Sequence, residues 1–286
     1  MVEVWLGLAA LDMVAWGIGQ AVVKRATDRL GPATMVLIAS VLDGSAYAVL
    51  YVAFGGPFAA TWDAYAVAAL ASIVGMGGYI LYYEALLRGS VAVVGTITAG
   101  SPILTVLGGM LIFGETPTLA QGIGVLLLVV VVLILGYEPT GADWRVPVAV
   151  VLSLAILILW GTWGLLTKAA VEAPGLGPWN LLLFYTAANV AMGPPYYAWR
   201  RRRASPVAPS RRVYGTAVLG LALLSVGIVA ATVALAFGPV SLVSAVSGCG
   251  PVVTGVLAFT FLKERVTRSR VFALLLFVPG IVLVAL

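Results

Sequence analysis

Charge is what this sequence has least of. Asp, Glu, Lys and Arg make up only 9% of its 286 residues, against roughly 25% in a soluble domain. With 62% hydrophobic residues there are too few polar groups to cover a globule in water, so the chain reads as a membrane protein. Histidine is absent, which excludes His-ligated metal sites and His-based acid–base catalysis. The single Cys249 lies within an apolar run and excludes an intramolecular disulfide framework. No positively charged leader precedes the first apolar segment, and that segment carries Asp12, so it is expected to stay as a helix rather than be cleaved. A phosphate loop, a metal-ligand cluster and a nucleophile with its base are all missing. Chemical catalysis therefore has no candidate residues, and no metal or cofactor is expected.

What the chain does have is a near-continuous tiling of apolar runs. A hydrocarbon layer of about 30 Å needs about 20 apolar residues per helix. Spans can be drawn over residues 3–23, 32–54, 64–87, 91–113, 118–137, 146–167, 178–199, 213–237, 240–262 and 271–286. Gly31-Pro32, Gly55-Gly56-Pro57, Gly89, Glu138-Pro139, Pro174 to Pro178, Pro206 to Pro209 and Gly238-Pro239 punctuate them. The net charge of +5 could point to nucleic acid, but the positive residues sit between spans, where they report membrane topology instead. Of the 16 lysines and arginines, all but Lys168 belong to loops that follow odd-numbered spans. The positive-inside rule places those loops in the cytoplasm and both termini outside, with Arg200 to Arg203 as an anchor.

The second half repeats the first. Trp16, Gly17 and Lys24 correspond to Trp160, Gly161 and Lys168. Pro32, Asp43 and Tyr51 correspond to Pro178, Asn189 and Tyr197, and Ala85, Gly89, Thr98, Pro102 and Glu115 to Ala234, Gly238, Ser247, Pro251 and Glu264. The repeats are expected over residues 1–140 and 141–286. Each holds an odd number of spans, so the second must enter the membrane upside down. The predicted fold is an all-α membrane protein of ten transmembrane helices in two inverted five-helix repeats, with a binding site near mid-depth between them.

Several residues are candidates for that site. Asp12, Trp16 and Gln20 are spaced to share one stripe of the first helix. Asp12 and Asp43 fall near the middle of their spans, where a carboxylate costs at least about 2.5 kcal/mol. Either could carry a proton or face a cationic or hydrogen-bonding solute; the plain alternative is a carboxyl tied to a neighbouring helix for packing. Asn189, the repeat mate of Asp43, is read as structural. Tyr79, Tyr82, Trp160 and Trp163 are candidate cavity walls, able to stack on a planar or cationic solute. Pro102 and Pro251, in the middle of matching spans, leave the carbonyls of Thr98 and Ser247 without a backbone partner and are expected to act as hinges. Lys24 and Lys168 are read as helix-ending anchors that snorkel. Glu115 and Glu264 are read as caps at the first turns of spans five and ten.

Together these features resemble the drug/metabolite transporter superfamily, specifically EamA-type carriers. The resemblance rests on Trp-Gly followed by Lys in spans one and six, and on Ala-Leu-x-x-Gly-x-Val at Ala85 to Val91 and Ala234 to Val240. Pro102 and Pro251, Glu115 with Gln121-Gly122, and Glu264 with Arg270 continue it. It implies solute transport through a central cavity by alternating access, without an ATP site. Members usually have cytoplasmic termini, whereas the charges here place the termini outside. Small multidrug-resistance proteins, related four-helix carriers, have an essential glutamate in the first helix; Trp16 stands at that place here, with Asp12 one turn earlier. The expectation is a proton-coupled secondary carrier in the cell membrane that exports a small metabolite or drug-like solute of amino acid, nucleobase or organic cation class. An uncoupled facilitator or exchanger for sugars or other metabolites is the alternative. A membrane-embedded lipid-modifying enzyme or scaffold is the alternative of another class. The partners expected are a small-molecule substrate and the lipid bilayer, not nucleic acid.

Overall fold

The structure is a computed structural model, and it describes residues 2–88, 91–136, 148–201, 210–261 and 268–286. Every element in it is helical: α1 (Val2–Phe54), α2 (Trp62–Leu86), α3 (Val91–Thr98), α4 (Ser101–Ile112), α5 (Leu119–Gly136), α6 (Val148–Glu172), α7 (Gly177–Arg201), α8 (Arg211–Phe237), α9 (Val240–Ser247), α10 (Gly250–Phe261) and α11 (Arg268–Ala285). α1 contains two membrane spans. Gly31, at φ 72 and ψ 160, interrupts it with a backbone only glycine adopts cheaply. Pro32 then opens the second arm, where its missing N–H costs nothing.

The arms run in opposite senses. On the first, Val23 packs at Gly220 of α8 and Asp12 at Gly227, while on the second, Ser40 packs at Gly193 of α7 and Gly44 at Asn189. α3 with α4 forms one span and α9 with α10 another, which brings the count to ten transmembrane helices, all α. The helices are apolar around most of their circumference, and side chains such as Leu111 and Leu119 are more than four-fifths exposed. In water such a surface would aggregate; in lipid it is the outer wall.

Close packing shows the inverted repeat directly. A Cβ added to Gly17 would lie 2.6 Å from the Gly250 carbonyl and 2.7 Å from Val253. One added to the repeat mate Gly161 would lie 3.0 Å from the Ser101 carbonyl and 2.7 Å from Leu104. The same helix crossing is therefore built twice, from residues that correspond across the halves. α5 and α11 pair with each other, Gly124 against Gly280 and Val284, and Gly280 against Leu128.

Two apolar cores lie toward opposite ends. One joins Val23, Leu30, Tyr83, Tyr196 and Ala217 at what we call the arginine end; the other joins Trp5, Leu176, Leu181, Val240 and Val243 at the far end. At the far end the segment after α1 meets the first turn of α7 and the segment before it: Gly56 N–H donates to Asn180 Oδ1 at 2.8 Å, and Gly175 sits against Ala59.

Three expectations need correction. α3–α4 and α9–α10 are not continuous helices bent at proline; each span is broken, and Pro102 and Pro251 occupy the first turn of the second piece, where proline is preorganised. Lys24 and Lys168 do not end their helices, since α1 continues to its reversal at Gly31 and α6 runs to Glu172. Lys168 does not snorkel either. It is 6% exposed, and its ammonium donates to the carbonyls of Leu235 and Gly238 at 2.9 and 2.8 Å, closing the C-terminus of α8. An ion pair to Glu172 at 2.7 Å completes its shell. The side chain of Lys24 lies outside the described residues.

Glu115 is the third correction. It caps a helix, but the helix is α9 rather than α5: its two carboxylate oxygens accept from the N–H groups of Val240 and Ser241 at 2.6 and 2.9 Å. α5 is opened instead by a reciprocal box, Thr118 N–H to Gln121 Oε1 and Gln121 N–H to Thr118 Oγ1. Glu264 lies outside the described residues.

Candidate functional site

The stripe of Asp12, Trp16 and Gln20 on the first arm of α1 faces a junction of five other elements. Asp12 is 7% exposed and rests against Gly227 of α8, where any Cβ would come within 2.6 Å of its Oδ1. Gly227 is thus required for the carboxylate to sit there. The Ser247 side chain, at the end of α9, lies beside that carboxylate, yet its buried hydroxyl makes no well-aligned hydrogen bond among the described residues. Trp16 reaches the α9–α10 break at Gly250 and meets Trp160 of α6 edge-on, centroids 6.2 Å apart at 89°. Gln20 Oε1 accepts from Tyr82 of α2 at 3.4 Å, and the Tyr82 ring tilts over Trp160 at 5.4 Å. Trp16, Gln20 and Trp160 are only partly buried, and the two indoles pack against the arginine-end core.

Trp160 and Trp163 need glycines opposite. Their indoles lie over Gly78 and Gly75 of α2, where a Cβ would come within 2.7 Å or less. Gly78 and Gly227 occupy the same repeat position; one receives an indole and the other a carboxylate. Trp163, one turn from Trp160, turns away toward Tyr185 at 6.3 Å and belongs to the far-end core.

Asp43, 8% exposed, lies across α8 from Asp12, since Ser225 and Gly227 are about 200° apart on that helix. Ser225 Oγ donates to Asp43 Oδ1 and also to the carbonyl of Leu221. Tyr47, Tyr79 and Tyr83 are close enough to interact electrostatically with this carboxylate, and the buried Tyr47 hydroxyl has no hydrogen-bond partner among the described residues. Tyr79 pairs with Tyr83, so it stands on the Asp43 side rather than against Trp160. Among the described residues neither aspartate has an ion-pair partner.

The broken helices are the same turn made twice. In α3–α4, Ala99 N–H bonds to Gly95 O, Gly100 N–H to Ile97 O, and Ile103 N–H to Gly100 O. In α9–α10 the corresponding bonds run from Gly248 to Ser244, Cys249 to Val246 and Val252 to Cys249. The two breaks touch, because a Cβ on Gly248 would lie 2.5 Å from Pro102. Thr98 does not offer its hydroxyl to a ligand: it is buried and donates to Val94 O at 2.9 Å and Gly95 O at 3.3 Å within its own helix. Asn189 likewise satisfies itself locally, donating to Tyr185 O at 3.0 Å.

The structure thus brings Asp12, Trp16, Gln20, Tyr82, Trp160 and Ser247 together, and places Asp43, Tyr79, Trp163, Thr98 and Asn189 elsewhere. Sequence reasoning missed Ser225, Gly227 and Tyr47. The repeat alignment held a usable signal for one of them, since Gly78 and Gly227 coincide. Among the described residues no group of three or more Cys, Asp or Glu is arranged to hold a metal ion.

No curated protein matches the sequence. A solved crystal structure superposes over 99% of this chain and 98% of its own length with a TM-score of 0.81, at 18% identity, which carries the fold alone. The profile of the EamA-like transporter family matches twice, over residues 3–137 and again over residues 147–286. With both halves matched and the inverted ten-helix architecture in place, the chain belongs to the EamA-like transporter family, within the drug/metabolite transporter superfamily.

Proposed function

We propose that this protein is a secondary carrier that moves a small solute through the junction of Asp12, Trp16, Tyr82 and Trp160 by alternating access. The observation that carries this reading is the meeting of two repeat-related helix breaks beside an acid with no ionic partner among the described residues. A break at mid-depth uncouples the two halves of a span, so each half can tilt with its own end of the molecule. Pro102 and Pro251 cannot donate an N–H back to the Thr98 and Ser247 carbonyls, which keeps each break from healing into continuous helix. Edge-to-face indoles and a tilted phenol supply a wall on which a planar solute stacks, and Asp12 supplies charge or a proton.

In this reading Asp12 and Asp43 are the charge handles, and transport is coupled to protons in the direction of export. The solute is an amino acid, nucleobase or organic cation. The carrier sits in the cell membrane with its positive loops inside and both termini outside, as the charges indicate. An uncoupled facilitator or exchanger is the second reading, and the Ser225–Asp43 hydrogen bond favours it, because that acid then serves packing.

Flux into proteoliposomes with and without a pH gradient separates the two. Asp12→Asn and Asp43→Asn are each expected to lower gradient-driven accumulation by about tenfold, the scale of ~1.4 kcal/mol of coupling. Undiminished accumulation in both variants removes the proton assignment. A thermal-shift screen of amino acids, nucleobases, organic cations and sugars identifies the solute, since a ligand at 100 times its Kd stabilises by about 2.7 kcal/mol.

A further inference from the structure

The arginine end carries a network that the site does not use. Glu84, near the end of α2, is buried, and its carboxylate is fully engaged. Tyr196 donates to its Oε1 at 2.7 Å and Arg200 Nε to the same oxygen at 2.6 Å, both from α7. Arg200 Nη2 and Arg88 Nη1 close on Oε2. The arginine fork grips both carboxylate oxygens, a geometry that is strong and directional. α2 belongs to the first repeat and α7 to the second, so the network ties the halves together at one end.

Nothing in the repeat duplicates it. The mate of Glu84 is Val233 and that of Arg200 is Phe54. At the far end, the links between halves include the neutral Asn180 bonds to Gly56 and Pro57, and Glu115 on α9. Glu115 has a sequence mate, Glu264, and so does not by itself distinguish the ends. Charge-assisted bonds are about twice as strong as neutral ones. Two identical inverted repeats would make the inward-open and outward-open states equal in energy; an unmatched clamp at one end makes them unequal.

We propose that the Glu84–Arg88–Tyr196–Arg200 network is the latch that holds the arginine end shut and sets the resting state of the protein. The inference rests on the alternating-access reading but is tested without any solute. In a Cys249→Ala background, Gln20→Cys reports access from the arginine end and the buried Ser241→Cys reports access from the far end. A membrane-impermeant maleimide is applied to the full-length protein in nanodiscs. Glu84→Gln is expected to speed labelling at position 20 about tenfold while leaving position 241 unchanged or slower. Arg200→Gln, which cuts the latch from the other helix, must give the same pattern, so a poorly folded single variant does not decide the matter. Unchanged labelling at position 20, or an equal rise at both positions, overturns the latch. If the pattern appears and no solute is ever carried, the latch stands and the carrier reading falls.

Discussion

Glu115 and Lys168 are charged residues whose partners are backbone groups, and each closes a helix that lies far from it in sequence. Glu115 covers two of the first N–H groups of α9, and Lys168 covers the Leu235 carbonyl in the last turn of α8 and that of Gly238, its C-cap. In a membrane no water is at hand to satisfy such groups, so the side chain must. Glu115→Ala is therefore expected to destabilise the protein by about 1–2 kcal/mol, read as a lowered Tm in detergent. An unchanged Tm would mean that the α9 terminus has another partner. The presence of an acid at position 115 is legible in the sequence, and so is its capping chemistry. Which helix it caps is not, because the nearest helix start in sequence, α5, supplies its own Thr118–Gln121 box.

At the scale of elements, glycine decides where helices reverse and where they touch. Gly31 turns one helical run into two antiparallel arms at φ 72, with nothing within 4 Å of where a Cβ would lie. Substitution there meets no steric neighbour, only the backbone penalty. Gly31→Ala and Gly31→Asn should each cost about 1–3 kcal/mol of stability by Tm, since φ 72 with ψ 160 lies outside the left-handed helical region that Asn tolerates and is open essentially to glycine alone. An unchanged Tm in either variant would show that the reversal does not depend on this backbone conformation. The Gly31-Pro32 pair announces this reversal in the sequence. The breaks at Gly100 and Cys249 are harder to see, because an apolar run with one proline reads equally well as a bent helix. Only the turn bonds of the backbone, identical in both halves, show that the helix ends and restarts.

At the scale of the whole molecule, orientation rests on charge. Alkaline phosphatase fused to the C-terminus is expected to be active and a fluorescent-protein fusion there dark, as an external terminus requires; the reverse result would place the termini inside and the arginine end outside. Ten spans, their apolar circumference and the inverted order of the halves were determined by the sequence itself, because hydrocarbon thickness fixes span length and an odd span count per repeat fixes inversion. So was the shared stripe of Asp12, Trp16 and Gln20, which is a matter of helical period. Only the tertiary structure decided that Asp12 and Asp43 lie on opposite sides of α8, that Thr98 is spent on its own helix, and that Arg200 reaches back to Glu84. The physical reason is common to all three: periodicity tells which residues share a face, but the partner of a buried polar group comes from whichever helix packs there, and in an interior with few charges that partner carries the meaning.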